Sequence, residues 1–184
     1  MSGDTTLWLD AFPRDWDAAH ERRVPGRAAE VVYYPGARRD GGSDGLWLRI
    51  APAHGDSWTG VFSSEFVPGR LSVVASWPHP STVFVAVGGD PYLVHTGLPD
   101  VWSRLDRPTA RGFEPRPDRG LALVLDDDRL SAFDAEGLAW ESEHLGPDAV
   151  WLGRLDDEVH LRAGDVLHRV QLRHGRTVSE PAPW

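Results

Sequence analysis

The stretch Val159-His160-Leu161-Arg162-Ala163-Gly164-Asp165-Val166-Leu167-His168-Arg169-Val170-Gln171-Leu172 alternates apolar and polar side chains on either side of a small-residue break. Alternation with period two marks a strand with one buried face. A two-residue Ala163-Gly164 turn folds the halves into a hairpin. In that register Val159 faces His168 and Leu161 faces Val166. Val159, Leu161, Val166, Val170 and Leu172 share one face; His160, Arg162, Leu167, Arg169, Gln171 and Arg173 share the other. A slip of one residue would turn the apolar set into water, so the pattern itself specifies the pairing. His160 and His168 fall on opposite faces and so do not form one metal site. His168, set among apolar neighbours, is expected as a hydrogen-bonded core or rim histidine.

The same texture runs outward through the chain. Short apolar runs recur at Thr6–Leu9, Glu30–Tyr34, Leu46–Ile50, Trp58–Phe62, Leu71–Ala75, Thr82–Val87, Tyr92–His95, Leu121–Leu125, Leu130–Phe133, Leu138–Trp140 and Val150–Leu152, punctuated by 19 glycines and 15 prolines. Many short strands between turn residues predict an all-β chain of antiparallel meanders, either propeller-like or a sandwich. A single domain over 1–184 is expected from the length. Arg14–Arg23 has no Gly or Pro, and Trp16, Ala19 and Arg23 share a helical face, which predicts one short N-terminal helix. Gly36–Asp44 reads as a loop, and Asp106–Arg119, with three prolines, as an irregular connector. Gly88-Gly89-Asp90 reads as a hairpin turn, because no G-x-G-x-x-G follows it.

A second hairpin is predicted over Leu121–Phe133, turning at Asp126-Asp127-Asp128, where Asp side chains bond the nearby backbone. Shifted by 38 residues, Val83–Trp102 overlays Leu121–Trp140: Val85 meets Leu123, Val87 meets Leu125, and Trp102 meets Trp140. A period near 40 is that of propeller blades. Within this repeat, Ala132-Phe133-Asp134-Ala135-Glu136-Gly137-Leu138-Ala139-Trp140 reads A-x-D-x-x-G-x-x-W. It resembles the blade signature of quinoprotein-like β-propellers, and also small bacterial all-β proteins of unassigned function. The resemblance implies a strand ending, a glycine turn, and a Trp docked on the neighbouring blade. Glu136 stands where that family has Thr, and the Gly-to-Trp spacing is one residue short. The chain is also short for a ring that holds a quinone, so blade geometry alone carries over and no cofactor is expected.

Composition narrows the chemistry. The chain has no Cys, Lys or Asn, all 19 of its basic residues are Arg, and its net charge is −9. A bias away from residues with A/T-rich codons fits a high-GC bacterial genome. Without Cys there is no disulfide framework, thiolate nucleophile or cysteine-ligated zinc; without Lys there is no Schiff base or phosphate-binding lysine. The acidic balance works against nucleic acid and anionic membranes as partners. Arginines gather toward the N-terminal quarter (Arg14, Arg22, Arg23, Arg27, Arg38, Arg39), but acidic residues are interspersed among them. No basic-then-apolar leader or membrane-length apolar run is visible, which points to the cytoplasm.

No catalytic or metal constellation emerges. Asp126, Asp127 and Asp128 lack the ligand spacing of a calcium loop, and no G-x-S-x-G elbow accompanies the Ser63-Ser64-Glu65 or Ser142-Glu143-His144 trios. The unusual residue is Trp, present nine times. Most are expected in the core because they sit in apolar alternation. Trp16, Trp77 and Trp184, in less regular contexts, are interface candidates, together with His79 in the rigid Trp77-Pro78-His79-Pro80 loop and Arg38 and Arg39. The function this reading supports is a non-catalytic protein-interaction protein with a protein partner, a basic surface being the natural complement. A bacterial immunity protein or accessory subunit exemplifies that class. The alternatives are a carbohydrate-binding or carbohydrate-hydrolysing β domain, and a structural subunit of a larger assembly.

Overall fold

The computed structural model describes residues 6–21, 30–37, 45–62, 70–105 and 109–182, and among them every regular element is a strand. The chain gathers into two compact units, 1–108 and 109–184. The first holds β1 (Leu7–Leu9), β2 (Trp16–His20), β3 (Glu30–Tyr33), β4 (Leu46–Pro52), β5 (Trp58–Phe62), β6 (Val73–Ser76), β7 (Thr82–Val87), β8 (Asp90–His95) and β9 (Trp102–Arg104). They form two sheets, ordered β1-β6-β7-β8-β9 and β2-β4-β5-β3. The second holds β10 (Gly112–Arg116), β11 (Leu121–Leu125), β12 (Leu130–Phe133), β13 (Leu138–Glu141), β14 (Val150–Leu155), β15 (Glu158–Ala163), β16 (Val166–Gln171) and β17 (Thr177–Pro181). These make two consecutive four-stranded antiparallel meanders, β10 to β13 and β14 to β17, the pattern of propeller blades.

Each unit has its own core. In the first, Leu48, Ile50, Trp58 and Phe62 of one sheet pack with Val74, Val83, Val85, Tyr92 and Val94 of the other. In the second, Leu123, Leu125, Leu130 and Ala132 pack with Val159, Leu161, Val170 and Leu172. Indole N–H groups tie sheet to sheet. Trp140 donates to the Leu172 carbonyl at 2.8 Å, and Trp58 to the Thr96 carbonyl at 2.7 Å. Trp140 thus docks on the neighbouring sheet, as the A-x-D-x-x-G-x-x-W motif implies. The motif's Asp134 closes the turn by accepting from the backbone N–H of Glu136 and Gly137 at 2.8 and 3.0 Å.

The repeat has a structural counterpart. Val94 pairs with Trp102 as Ala132 pairs with Trp140, 38 residues on. The preceding strands are displaced by two: Val83 pairs with Val94, but Leu123 with Ala132. The displacement arises because the loop Asp126–Arg129 is two residues longer than the Gly88-Gly89 turn. Gly88 and Gly89 have φ of 58° and 91°, the two positive values that a type I′ hairpin turn requires.

Three expectations are corrected. The helix over Arg14–Arg23 is strand β2 in its described part, paired antiparallel with β4 from Trp16↔Pro52 to His20↔Leu48. Trp16 and Ala18 pack on the core, so the operative period is two, not 3.6. The connector Asp106–Arg119 contains β10, paired with β11. In the 159–172 hairpin the turn is Gly164-Asp165, with Ala163 opposite Val166, Leu161 opposite His168 and Val159 opposite Val170. The turn needs positive φ at its first residue, and Gly164 supplies it at 56°. The shift is two residues, so the faces survive: Val159, Leu161, His168 and Val170 are buried, and His160 lies on the opposite face.

Candidate binding surfaces

The connection from β8 to β9 makes a tight, hydrogen-bonded tip. The Leu98 amide donates to His95 O at 3.2 Å, the Val101 amide to Leu98 O at 2.8 Å, and the His95 amide to Val101 O at 3.0 Å. The Tyr34 hydroxyl donates to Pro99 O at 2.9 Å. Tyr34 also meets the Trp102 ring edge-on at 5.7 Å. On this rigid base Leu98 and Val101 are each 56% exposed, and Trp102 is 38% exposed. Asp100 lies in the same turn and is exposed. Burial first, then the negative charges of Asp100 and Glu30, hold the Tyr34 hydroxyl well above the usual phenol range. The tip is therefore apolar, preorganised, and set in a negative field.

A cleft of about 240 Å³ opens between β1 and β2, lined by Trp8, Leu9, Asp10, Arg14, Trp16, Ala18, Val74 and Ser76. The Arg14 guanidinium lies 5.0 Å from the Trp16 ring centroid, a cation–π distance. It is held there by Asp10 at 3.0 Å, Asp17 at 3.2 Å and the Trp16 carbonyl at 3.0 Å. Ser76 Oγ accepts the amides of Ala11 and Phe12 at 2.9 and 2.8 Å, pinning the segment that joins the two strands.

A smaller recess of about 170 Å³ is lined by Asp15, His54, Ser81, His95, Thr96 and neighbouring residues. Ser81 Oγ donates to Asp15 Oδ2 at 2.5 Å, and His79 Nδ1 accepts from the Ser81 amide at 3.3 Å. The hydroxyl proton points at a carboxylate rather than an imidazole, so the trio lacks the serine–histidine contact that would activate a nucleophile.

Of the residues singled out from sequence, Trp16 and Trp77 are buried, at 6% and 4% exposure; Trp77 stacks on Phe84 at 5.4 Å. His79 is exposed, with its ring 6.5 Å from that of His95. Arg38, Arg39 and Trp184 lie outside the described residues, as does Ser63-Ser64-Glu65. Among the described residues the exposed indoles are instead Trp8 and Trp102, which sequence reasoning placed in the core. Both stand on edge strands, and nothing in an isolated apolar run distinguishes an edge from a centre.

The acidic turn is tied down by protein groups. Asp126 Oδ1 accepts from the amides of Asp128 and Arg129 at 2.8 and 2.7 Å. Asp127 meets Arg111 at 3.6 Å, and Asp128 meets His144 at 3.0 Å. Ser142 Oγ accepts from the Leu130 amide and donates to Glu143 O, which leaves the Ser142-Glu143-His144 trio a structural corner. Among the described residues, no group of three or more His, Asp or Glu is placed to hold a metal ion.

No family model matches the chain, and no curated protein matches it. Among solved structures it is similar to the N-terminal domain of Nup159, at 10% identity and a TM-score of 0.43, over 96% of this chain and 53% of that one. It is also similar to a chain in the S. cerevisiae complex of Dbp5 with Nup159, Gle1, IP6 and ADP, at 9% identity and a TM-score of 0.38, over 94% and 53%. The chain spans about half the length of the structures it matches.

Proposed function

We propose that this chain is a non-catalytic protein-interaction protein, acting in the cytoplasm, whose β8–β9 tip receives a protein partner. The observation that carries the reading is the set of three exposed apolar side chains, Leu98, Val101 and Trp102, on a turn fixed by its own hydrogen bonds and by Tyr34. Solvent-exposed apolar side chains on a rigid support are what an interface core needs, because little ordering entropy is lost on docking. Asp100 in the turn and the net charge of −9 favour a partner with a basic surface, met faster at low salt.

The test is affinity capture from host cells at low and high salt, with wild type beside a Leu98→Asp/Val101→Asp double variant. A stoichiometric partner that weakens with salt and is lost with the double variant is expected. A partner retained by that variant, or none at either salt, would refute the reading. The variant's thermal midpoint should match wild type, since both side chains already face solvent.

A further inference from the structure

We propose that the cleft between β1 and β2 is a binding site for a neutral saccharide, engaged one pyranose ring at a time. The site is separate from the β8–β9 tip and does not rest on the interaction reading.

The lining has the parts that sugar recognition requires. Trp8 is 46% exposed and forms one wall, offering aromatic surface to the C–H face of a sugar ring. Beside the apolar side chains of Leu9, Ala18 and Val74, the polar members of the lining are Asp10, Arg14 and Ser76, whose Oγ is taken up by the amides of Ala11 and Phe12. Asp10 Oδ1 and Arg14 Nε are 3.0 Å apart. A sugar hydroxyl both donates and accepts, so vicinal hydroxyls suit an adjacent carboxylate and guanidinium. The pair is fixed before any ligand arrives, because Arg14 is also held by Asp17 and the Trp16 carbonyl, which limits the entropy lost on binding.

Trp16 forms part of the lining and is 6% exposed, yet its Nε1–H finds no hydrogen-bond acceptor among the described residues. Buried indole N–H groups ordinarily have a partner, and Trp58 and Trp140 both do.

Charge selects the ligand class. An alkylammonium ion would be the other natural guest for a Trp-and-carboxylate cleft. Here the Trp16 ring already carries the Arg14 guanidinium, and Asp10 is already paired with it. A cation would have to displace Arg14; an uncharged polyol would not.

The test is titration of the full ¹⁵N-labelled chain with methyl glucoside, methyl galactoside, methyl mannoside and N-acetylglucosamine, with tetramethylammonium as the cationic arm. The indole N–H resonances of Trp8 and Trp16 are assigned from Trp8→Phe and Trp16→Phe. At least one sugar should shift both resonances saturably. Trp8→Ala should weaken that sugar by about tenfold or more, and so should Asp10→Asn, which keeps the shape of an exposed side chain and guards against a folding artefact. Leu98→Asp/Val101→Asp should leave it unchanged. The proposal is overturned by no saturable shift with any sugar, by a response to tetramethylammonium alone, or by sugar shifts that persist undiminished in both Trp8→Ala and Asp10→Asn.

Discussion

His168 shows how a residue's setting writes itself into stability. Its ring is buried, with Nδ1 2.9 Å from Ser179 Oγ of β17. Burial holds its pKa below the ordinary imidazole value, with the Leu145 backbone opposing more weakly. In the unfolded chain His168 takes its proton near pH 6.5; in the folded chain it does so only lower. The neutral ring's contribution is therefore full above pH 6.5 and is lost as pH falls through the folded value. The thermal midpoint should decline from pH 7 toward pH 5, and His168→Phe should flatten that decline. Asp118 works in a lower window: the bidentate hydrogen bond from Arg116 lowers its carboxyl pKa. Its contribution is lost only as pH falls below the ordinary carboxylate value of ~3.9. Gly175 makes a steric test. It has φ of 71°, and an added Cβ would lie 2.6 Å from Trp140 Cε3 and 3.1 Å from Glu141 O. Gly120 has φ of 64° with open space around it. Gly120→Ala should cost only the left-handed conformation, about 1–2 kcal/mol; Gly175→Ala should add about 1–3 kcal/mol of overpacking. Urea unfolding midpoints decide this.

At the scale of elements, the strands that sequence reasoning missed are β2, β9, β10 and β17, and each is an edge of its sheet, one per sheet. β9 is exposed throughout, β17 nearly so, and β10 and β17 carry Pro115 and Pro181. An edge strand is held by the backbone of one neighbour and need not bury alternate side chains, so it leaves little trace in hydropathy. Central β5 and β7 are buried on both faces and read as continuous apolar runs. Native-state hydrogen exchange should therefore rank β5, β7 and β11 slowest and β9 and β17 fastest. Trp58→Phe tests the indole that ties β5 to the chain beyond β8. It deletes the bond to Thr96 O, should cost about 1 kcal/mol, and should speed amide exchange over 97–101. Unchanged exchange there would show that Trp58 does not brace the tip.

Over the whole molecule, charge dominates behaviour in solution. With net charge −9 and a pI near 5.3, the protein should be least soluble near pH 5.3, where self-repulsion vanishes. Turbidity against pH at fixed concentration measures this, with the minimum expected to soften in added salt as residual patches are screened. This acid limit overlaps the window in which His168 costs stability. Aggregation at low pH should therefore be separated from unfolding by following the Trp16 and Trp58 indole resonances through the same titration.

By itself the sequence determined the all-β class, the turn chemistry at Gly88-Gly89 and around Asp126, and the faces of β15 and β16. These rest on local rules: period two, left-handed glycines, and side chains that bond their own backbone. Only the tertiary structure decided the edge strands, the Gly164-Asp165 turn, and which tryptophans see solvent. Trp16 is buried in a cluster with Val74 and Val83, far away in sequence, and Trp77 stacks on Phe84 of the next strand, while Trp8 and Trp102 stand at sheet edges. Burial is a property of what folds over a residue, and the neighbours on the chain do not encode it.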